Sequence, residues 1–74
     1  MTATDALAHD GFFTARPNDT ISFVRWISRM GYALMDYTDE DYKVFKRAYL
    51  VSTLYTGVDR QYIERDLARS REKQ

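Results

Sequence analysis

Four carboxylates lie within six positions of the segment MDYTDEDYKV: Asp36, Asp39, Glu40 and Asp41. Such a cluster could bind a cation, form an acidic docking surface, or begin a helix. A calcium loop of the EF-hand type needs oxygen ligands at positions 1, 3 and 5, glycine at position 6 and glutamate at position 12. Counted from Asp36, positions 6 and 12 are Asp41 and Arg47. Counted from Asp39, position 5 is a lysine and position 12 a leucine, so both registers fail.

A helix start explains the same residues better. Thr38 is in the N-cap position and Asp41 is at N3, which is a capping-box pattern with aspartate in the usual place of glutamate. Carboxylates in a first turn are also stabilised by the positive end of the helix dipole. We therefore interpret the acidic cluster as the beginning of a helix, and we predict no metal site.

Catalytic residue types are scarce in this chain. His9 is the single histidine and there is no cysteine, so any imidazole-based acid–base scheme would have to use His9. His9 lies beside Gly11, in a segment for which we predict no rigid element. No phosphate-binding loop, dinucleotide fingerprint or HExxH motif is present. We expect neither an enzyme nor a cofactor.

Apolar residues recur with helical spacing in three segments. In the first segment Phe23, Ile27 and Leu34 lie on one face, and Asn18 or Asp19 could cap its start. The second segment begins after Thr38 and ends near a glycine, and the third begins after Asp59 as N-cap. The patterns predict an all-α fold, a small three-helix bundle with an N-terminal arm, with helices at about 19–35, 38–56 and 59–70.

The arm is predicted to cover residues 1–17, and a single helical domain with a frayed C-terminal end to cover 18–74. Within the arm, a short helical turn is expected at 4–10, capped by Thr4 and ended by Gly11. Phe12 and Phe13 either fold back over the helical core or form a mobile hook that orders on a partner.

Large side chains are abundant for a chain of 74 residues, which has 45% apolar residues, six tyrosines and one tryptophan. A core of this size supplies about 3–5 kcal/mol of net stability and cannot bury every ring. Tyr, Trp and Arg are enriched in protein interfaces. We therefore predict a partner-binding surface drawn from Phe12, Phe13, Arg25, Trp26, Arg29, Tyr49, Leu50, Leu54 and Tyr55.

Charge and hydropathy narrow the class of partner. Eleven basic residues balance eleven acidic ones, whereas a dedicated nucleic-acid binder usually has a basic excess. No apolar run approaches the roughly 20 residues needed to span a bilayer, and the N-terminus lacks the pattern of a secretory signal. We expect a cytoplasmic protein with a protein partner and no membrane association.

The leading prediction is a non-enzymatic interaction module that inhibits, adapts or regulates a partner protein by occluding its surface, with a homodimer as one arrangement. By analogy with other small helical proteins, it could be encoded by a phage or mobile element and aimed at host machinery. The alternative is a small transcription-associated or nucleic-acid-binding regulator that uses Arg25, Arg29 and the C-terminal arginines. Those arginines cluster with Lys73 and are Arg60, Arg65, Arg69 and Arg71. A third option is a subunit that only completes a larger assembly.

Overall fold

The computed structural model describes residues 1–72, and over that range it contains five α-helices and one 3-10 turn. The helices are α1 (Ala3–His9), α2 (Gly11–Thr14), α3 (Pro17–Arg29), α4 (Asp39–Ser52) and α5 (Arg60–Glu72), and the 3-10 turn is Leu34–Asp36. The predicted all-α fold is confirmed. Within the described range, the one extended pairing is an isolated bridge between Thr2 and Thr38.

Helix α4 lies at the centre of the bundle. It packs against α1, α3 and α5, while α2 packs against α1 and α3. The extended residues before α1 run beside the start of α4, where the Ala3 N–H donates to the Tyr37 carbonyl at 2.7 Å and the Asp39 N–H donates to the Met1 carbonyl at 3.2 Å. The N-terminal segment is thus attached to the central helix by backbone hydrogen bonds.

The predicted start of α4 is confirmed. The Asp41 N–H donates to Thr38 Oγ1 at 3.2 Å, and the Thr38 N–H donates to Asp41 Oδ2 at 3.5 Å, which completes the capping box. Two other acids of the cluster have local roles, since Asp39 Oδ1 accepts from the Glu40 N–H and Glu40 pairs with Lys43 at 3.4 Å.

The predicted end of α4 at residue 56 is wrong, because the helix ends at Ser52. The hydroxyls of Ser52 and Thr53 donate to the carbonyls three residues earlier, at 2.6 and 2.7 Å. Such side-chain bonds compete with continuation of the backbone ladder. Leu54 and Tyr55 consequently lie beyond the helix.

Both predicted ends of the first long helix are also wrong. Helix α3 begins at Pro17 rather than at residue 19, since proline lacks an N–H and its fixed φ suits the first helical position. The residue at the N-cap is Arg16, and its side chain makes no capping hydrogen bond, so neither Asn18 nor Asp19 acts as the cap.

Helix α3 ends at Arg29 and does not continue to residue 35, because Gly31 adopts φ 92°. The Gly31 N–H donates to the Ser28 carbonyl and the Tyr32 N–H to the Ile27 carbonyl, at 3.0 and 3.1 Å. This is the Schellman arrangement, in which a left-handed glycine satisfies the last carbonyls of a helix.

The first helix of the chain starts at Ala3, one residue earlier than the turn predicted at 4–10. Its cap is Thr2 rather than Thr4, and Thr2 and Asp5 form a second capping box. Asp10 then caps α2 by accepting from the Phe12 N–H at 2.9 Å. The segment predicted as an arm is therefore mostly helical.

Helix α5 begins where it is predicted, since the Tyr62 N–H donates to Asp59 Oδ1 at 3.1 Å. It continues to Glu72, beyond the predicted end at residue 70, and Arg71 lies 3.7 Å from the buried carboxylate of Asp41. Lys73, the last cation of the predicted C-terminal cluster, lies outside the described residues.

The core draws on every α-helix. Its largest fully buried side chains are Phe13, Phe23, Ile27, Phe45, Ile63 and Leu67. The rings of Phe13 and Phe23 stack with centroids 4.9 Å apart, so the N-terminal segment contributes a central part of the core. Over residues 1–72, none of the helices is both long and apolar enough to cross a bilayer.

Candidate protein interface

The two N-terminal phenylalanines are folded onto the bundle. Phe13 is only 1% exposed, so it is a core residue and we no longer count it among the surface contacts. Phe12 is half-buried, with its ring edge-on to that of Phe13 at 5.1 Å and the Arg16 guanidinium 4.4 Å from its centroid. Of the two predicted alternatives, the structure thus has the one in which these rings fold back over the helical core.

Trp26 and Tyr49 form a second pair of the predicted residues. Their centroids are 5.7 Å apart in an edge-on arrangement, and Tyr49 also contacts Phe23 at 5.3 Å. Both side chains are half-buried, which leaves only part of each ring to meet a partner. Arg25 and Arg29 are exposed on α3.

The remaining predicted residues lie together at the end of α4. Leu50 is 36% exposed, Leu54 77% and Tyr55 69%. Leu50 and Leu54 line a groove of about 320 Å³, which we call the Leu54 groove; its other lining residues are Lys43, Lys46, Arg47 and Val51. The groove has an apolar floor at its C-terminal end and a cationic rim towards the N-terminus of α4.

A second groove, of about 440 Å³, lies between α4 and α5, and we call it the α4–α5 groove. Its charged lining residues are the cations Lys43, Arg47, Arg65 and Arg69 and the acids Glu40 and Asp66. Lys43 and Arg47 line both grooves. The two grooves therefore form one continuous surface along α4.

Lys43, Arg47 and Val51 are not among the residues predicted for the surface, and Arg65 was predicted only as one of the C-terminal arginines of the nucleic-acid alternative. Residues four apart on a helix lie on one face, so the spacing of Lys43 with Arg47 and of Arg65 with Arg69 was visible in the sequence. That these two faces meet across one groove depends on the packing of α4 against α5.

A third groove, of about 510 Å³, lies between α1 and α3 and includes Ile21, which is 52% exposed. Its lining residues carry no charge: Thr4, Leu7, Ala8, Phe13, Thr14, Pro17, Thr20 and Ile21. Ile21 provides an exposed apolar position away from the Leu54 groove. Neither Arg25 nor Arg29 lines any of the three grooves.

The most connected polar group is the carboxylate of Asp10. Its Oδ2 accepts from the Tyr42 hydroxyl at 2.6 Å and from Lys46 Nζ at 2.8 Å, and its Oδ1 caps α2. Burial by itself would raise the pKa of Asp10, but the hydrogen bonds from Lys46, Tyr42 and the Phe12 N–H outweigh it and lower the pKa. Burial, together with the Asp10 carboxylate, raises the pKa of Tyr42.

This network has a structural role. Each of its groups is already paired within the protein, so it offers no unpaired base or nucleophile. His9 is exposed in the last turn of α1. Among residues 1–72, no three histidine, aspartate or glutamate side chains come together in the way that a metal site requires.

Comparison of the chain with protein-family models, curated proteins and solved structures finds no match. The arguments for function therefore come from the chain's own surface. Its most distinctive feature is the exposed apolar end of α4 beside a row of cations.

Proposed function

We propose that this protein is a non-enzymatic interaction module that binds a partner protein through the Leu54 groove and regulates the partner by covering its surface. The observation that supports the proposal is the exposure of Leu54 and Tyr55, at 77% and 69%, next to the apolar groove formed with Leu50 and Val51. The proposal includes inhibitor and adaptor roles, and it includes a protein that is encoded by a phage or mobile element and acts on host machinery.

Hydration of large apolar side chains is unfavourable, by about 25 cal/mol for each Å² of apolar surface. Single exposed leucines are common on proteins, but adjacent ones that line a groove are typical of binding sites. The cations at the rim favour association with a partner of opposite charge and increase its rate. This combination supports a protein partner more strongly than a small-molecule ligand.

The test compares three forms of the purified protein: wild type, Leu54→Asp and Ile21→Asp. Each is tagged and used to capture proteins from the native host, and the captured partner is then purified and its Kd measured with each form. Ile21→Asp is the matched control, because it places the same charge on another exposed apolar position.

We expect wild type and Ile21→Asp to bind the partner with similar Kd, and Leu54→Asp to bind at least about tenfold more weakly, with the same circular dichroism. Equal binding by all three forms, or no partner at all, would refute the proposal. Light scattering on the same samples tests self-association: a wild-type dimer that Leu54→Asp converts to a monomer would identify a second copy as the occupant.

A nucleic-acid-binding regulator is the second candidate, and the cations of the α4–α5 groove are the observation that favours it. Binding driven by phosphates weakens steeply with added salt, whereas contacts made by Leu54 and Tyr55 would be less sensitive. The cytoplasmic location stays a prediction.

A further inference from the structure

We propose that the partner segment is acidic as well as apolar, and that its carboxylates bind in the α4–α5 groove while its apolar side chains occupy the Leu54 groove. This inference rests on the proposed function, since it names the chemistry of the segment that binds there. The occupant is therefore an amphipathic acidic segment of another protein.

The first support is a concentration of cations. Four cationic side chains line the α4–α5 groove with two carboxylates, although the whole chain has a formal net charge of zero. Lys43 is paired with Glu40 at 3.4 Å. Over residues 1–72, no carboxylate lies within 4.0 Å of Arg47, Arg65 or Arg69. Three guanidinium groups thus retain their capacity to bind an external anion.

The second support is the continuity of the two grooves. Arg47 lines both of them and is exposed. It stands one helical turn before Leu50 on the same face of α4. Leu54 lies beyond the end of α4 and lines the same groove as Arg47 and Leu50. A bound segment can therefore place a carboxylate near Arg47 and a large apolar side chain against Leu50 or Leu54 at the same time.

The third support is that the two grooves fit the carboxylates of a peptide better than the phosphates of a nucleic acid. Guanidinium groups bind either anion by paired hydrogen bonds. However, a nucleic-acid backbone presents charge continuously and gains most of its affinity from cations. Glu40 and Asp66 in the α4–α5 groove would repel such a backbone. The apolar floor of the neighbouring Leu54 groove would offer its phosphates no favourable contact. An acidic peptide with spaced carboxylates fits both grooves.

The experiment uses a library of random dodecapeptides displayed for selection against the 74-residue protein, so that no peptide sequence is assumed. We expect the selected peptides to be enriched in Asp and Glu and to carry large apolar residues beside them. The Kd of the best synthetic peptide is then measured with wild type, with Arg65→Gln/Arg69→Gln, and with Arg47→Gln as an independent variant.

The matched control is Arg25→Gln/Arg29→Gln, which removes the same charge from exposed arginines outside both grooves. Loss of charge-assisted hydrogen bonds should raise the Kd of the peptide by about tenfold or more in the two groove variants. In the control, the Kd should rise by less than about twofold. A peptide in which Gln replaces each Asp and Glu should lose affinity for wild type to the same extent.

The outcomes separate this inference from the proposed function. Suppose that the selected peptides are apolar and contain no acids, and that Leu54→Asp abolishes their binding. This result would overturn the acidic partner and leave the proposed interaction module intact. A library that yields no binder would overturn both. Tighter and strongly salt-dependent binding of a 20-base-pair DNA duplex, reduced by Arg65→Gln/Arg69→Gln, would assign the groove to nucleic acid instead.

Discussion

The hydroxyl of Tyr42 donates a 2.6 Å hydrogen bond to Oδ2 of Asp10, a residue 32 positions earlier in the chain. Lys46, one turn further along α4, donates to the same oxygen at 2.8 Å. Because the other oxygen of Asp10 caps α2, one carboxylate connects the N-terminal segment to the central helix.

Asp10→Ala should lower the free energy of unfolding by about 1–3 kcal/mol, because the buried Tyr42 hydroxyl loses its acceptor. Urea titration followed by circular dichroism measures the change. The control is Asp36→Ala, since the Asp36 carboxylate is exposed and makes no side-chain hydrogen bond within residues 1–72. Equal stability of the two variants would contradict the role given to Asp10.

The same carboxylate should contribute to acid sensitivity. Folding lowers the pKa of Asp10 below its usual value of 3.8, so its contribution is complete above that value and is lost as the pH falls through the lower folded-state pKa. The difference in unfolding free energy between wild type and Asp10→Asn should be constant from about pH 7 to about pH 5 and shrink below about pH 4. A difference that persists unchanged at lower pH would rule out this linkage.

Thr38→Ala should reduce stability by about 0.5–2 kcal/mol through loss of the α4 cap. Thr4→Ala is the matched control, because Thr4 is exposed and, within residues 1–72, its hydroxyl makes no hydrogen bond. Thermal unfolding of both variants provides the comparison. If Thr38→Ala has the same melting temperature as the wild type, the capping box does not stabilise α4.

Phe13→Ala should cost about 3–5 kcal/mol, since it removes a ring that stacks on Phe23 in the core. That is comparable to the whole stability of about 3–5 kcal/mol expected for a domain of this size, so the variant should be largely unfolded at room temperature. Amide NMR spectra report this directly. A well-dispersed, wild-type-like spectrum would instead favour the mobile hook.

Gly31→Ala should destabilise the protein by about 1–2 kcal/mol, because φ 92° is strained for a residue with a Cβ. The nearest atom to the added Cβ is 3.8 Å away, so the cost is conformational and not steric. Gly11→Ala in α2 meets nothing within 4 Å and should be neutral or stabilising by up to about 1 kcal/mol. Equal effects in a chemical denaturation series would exclude this explanation.

Features set by neighbouring residues were predictable from the sequence. The capping box of Thr38 and Asp41 and the N-cap of Asp59 are present as predicted, since both depend on hydrogen bonds that span three residues. The predicted end of α3 was wrong, although Gly31 was the signal that could have located it. Glycine can occur inside a helix or end it in a left-handed conformation. Here Gly31 has the left-handed conformation, and the next residue, Tyr32, is buried in the core.

The positions of the aromatic residues were decided by packing. Phe12 and Phe13 are adjacent and identical in type, yet Phe13 is buried and Phe12 is only partly covered. A periodic pattern indicates which face of a helix is apolar, but it does not indicate which other element covers that face.

The candidate interface combines both kinds of information. The surplus of large apolar side chains was apparent from composition, and Leu54 and Tyr55 are among those left exposed. The cationic groove beside them exists only because α4 and α5 pack together. Capping and helix formation follow from interactions over a few residues, whereas burial and charge clustering depend on distant segments brought together, and only the folded chain specifies those.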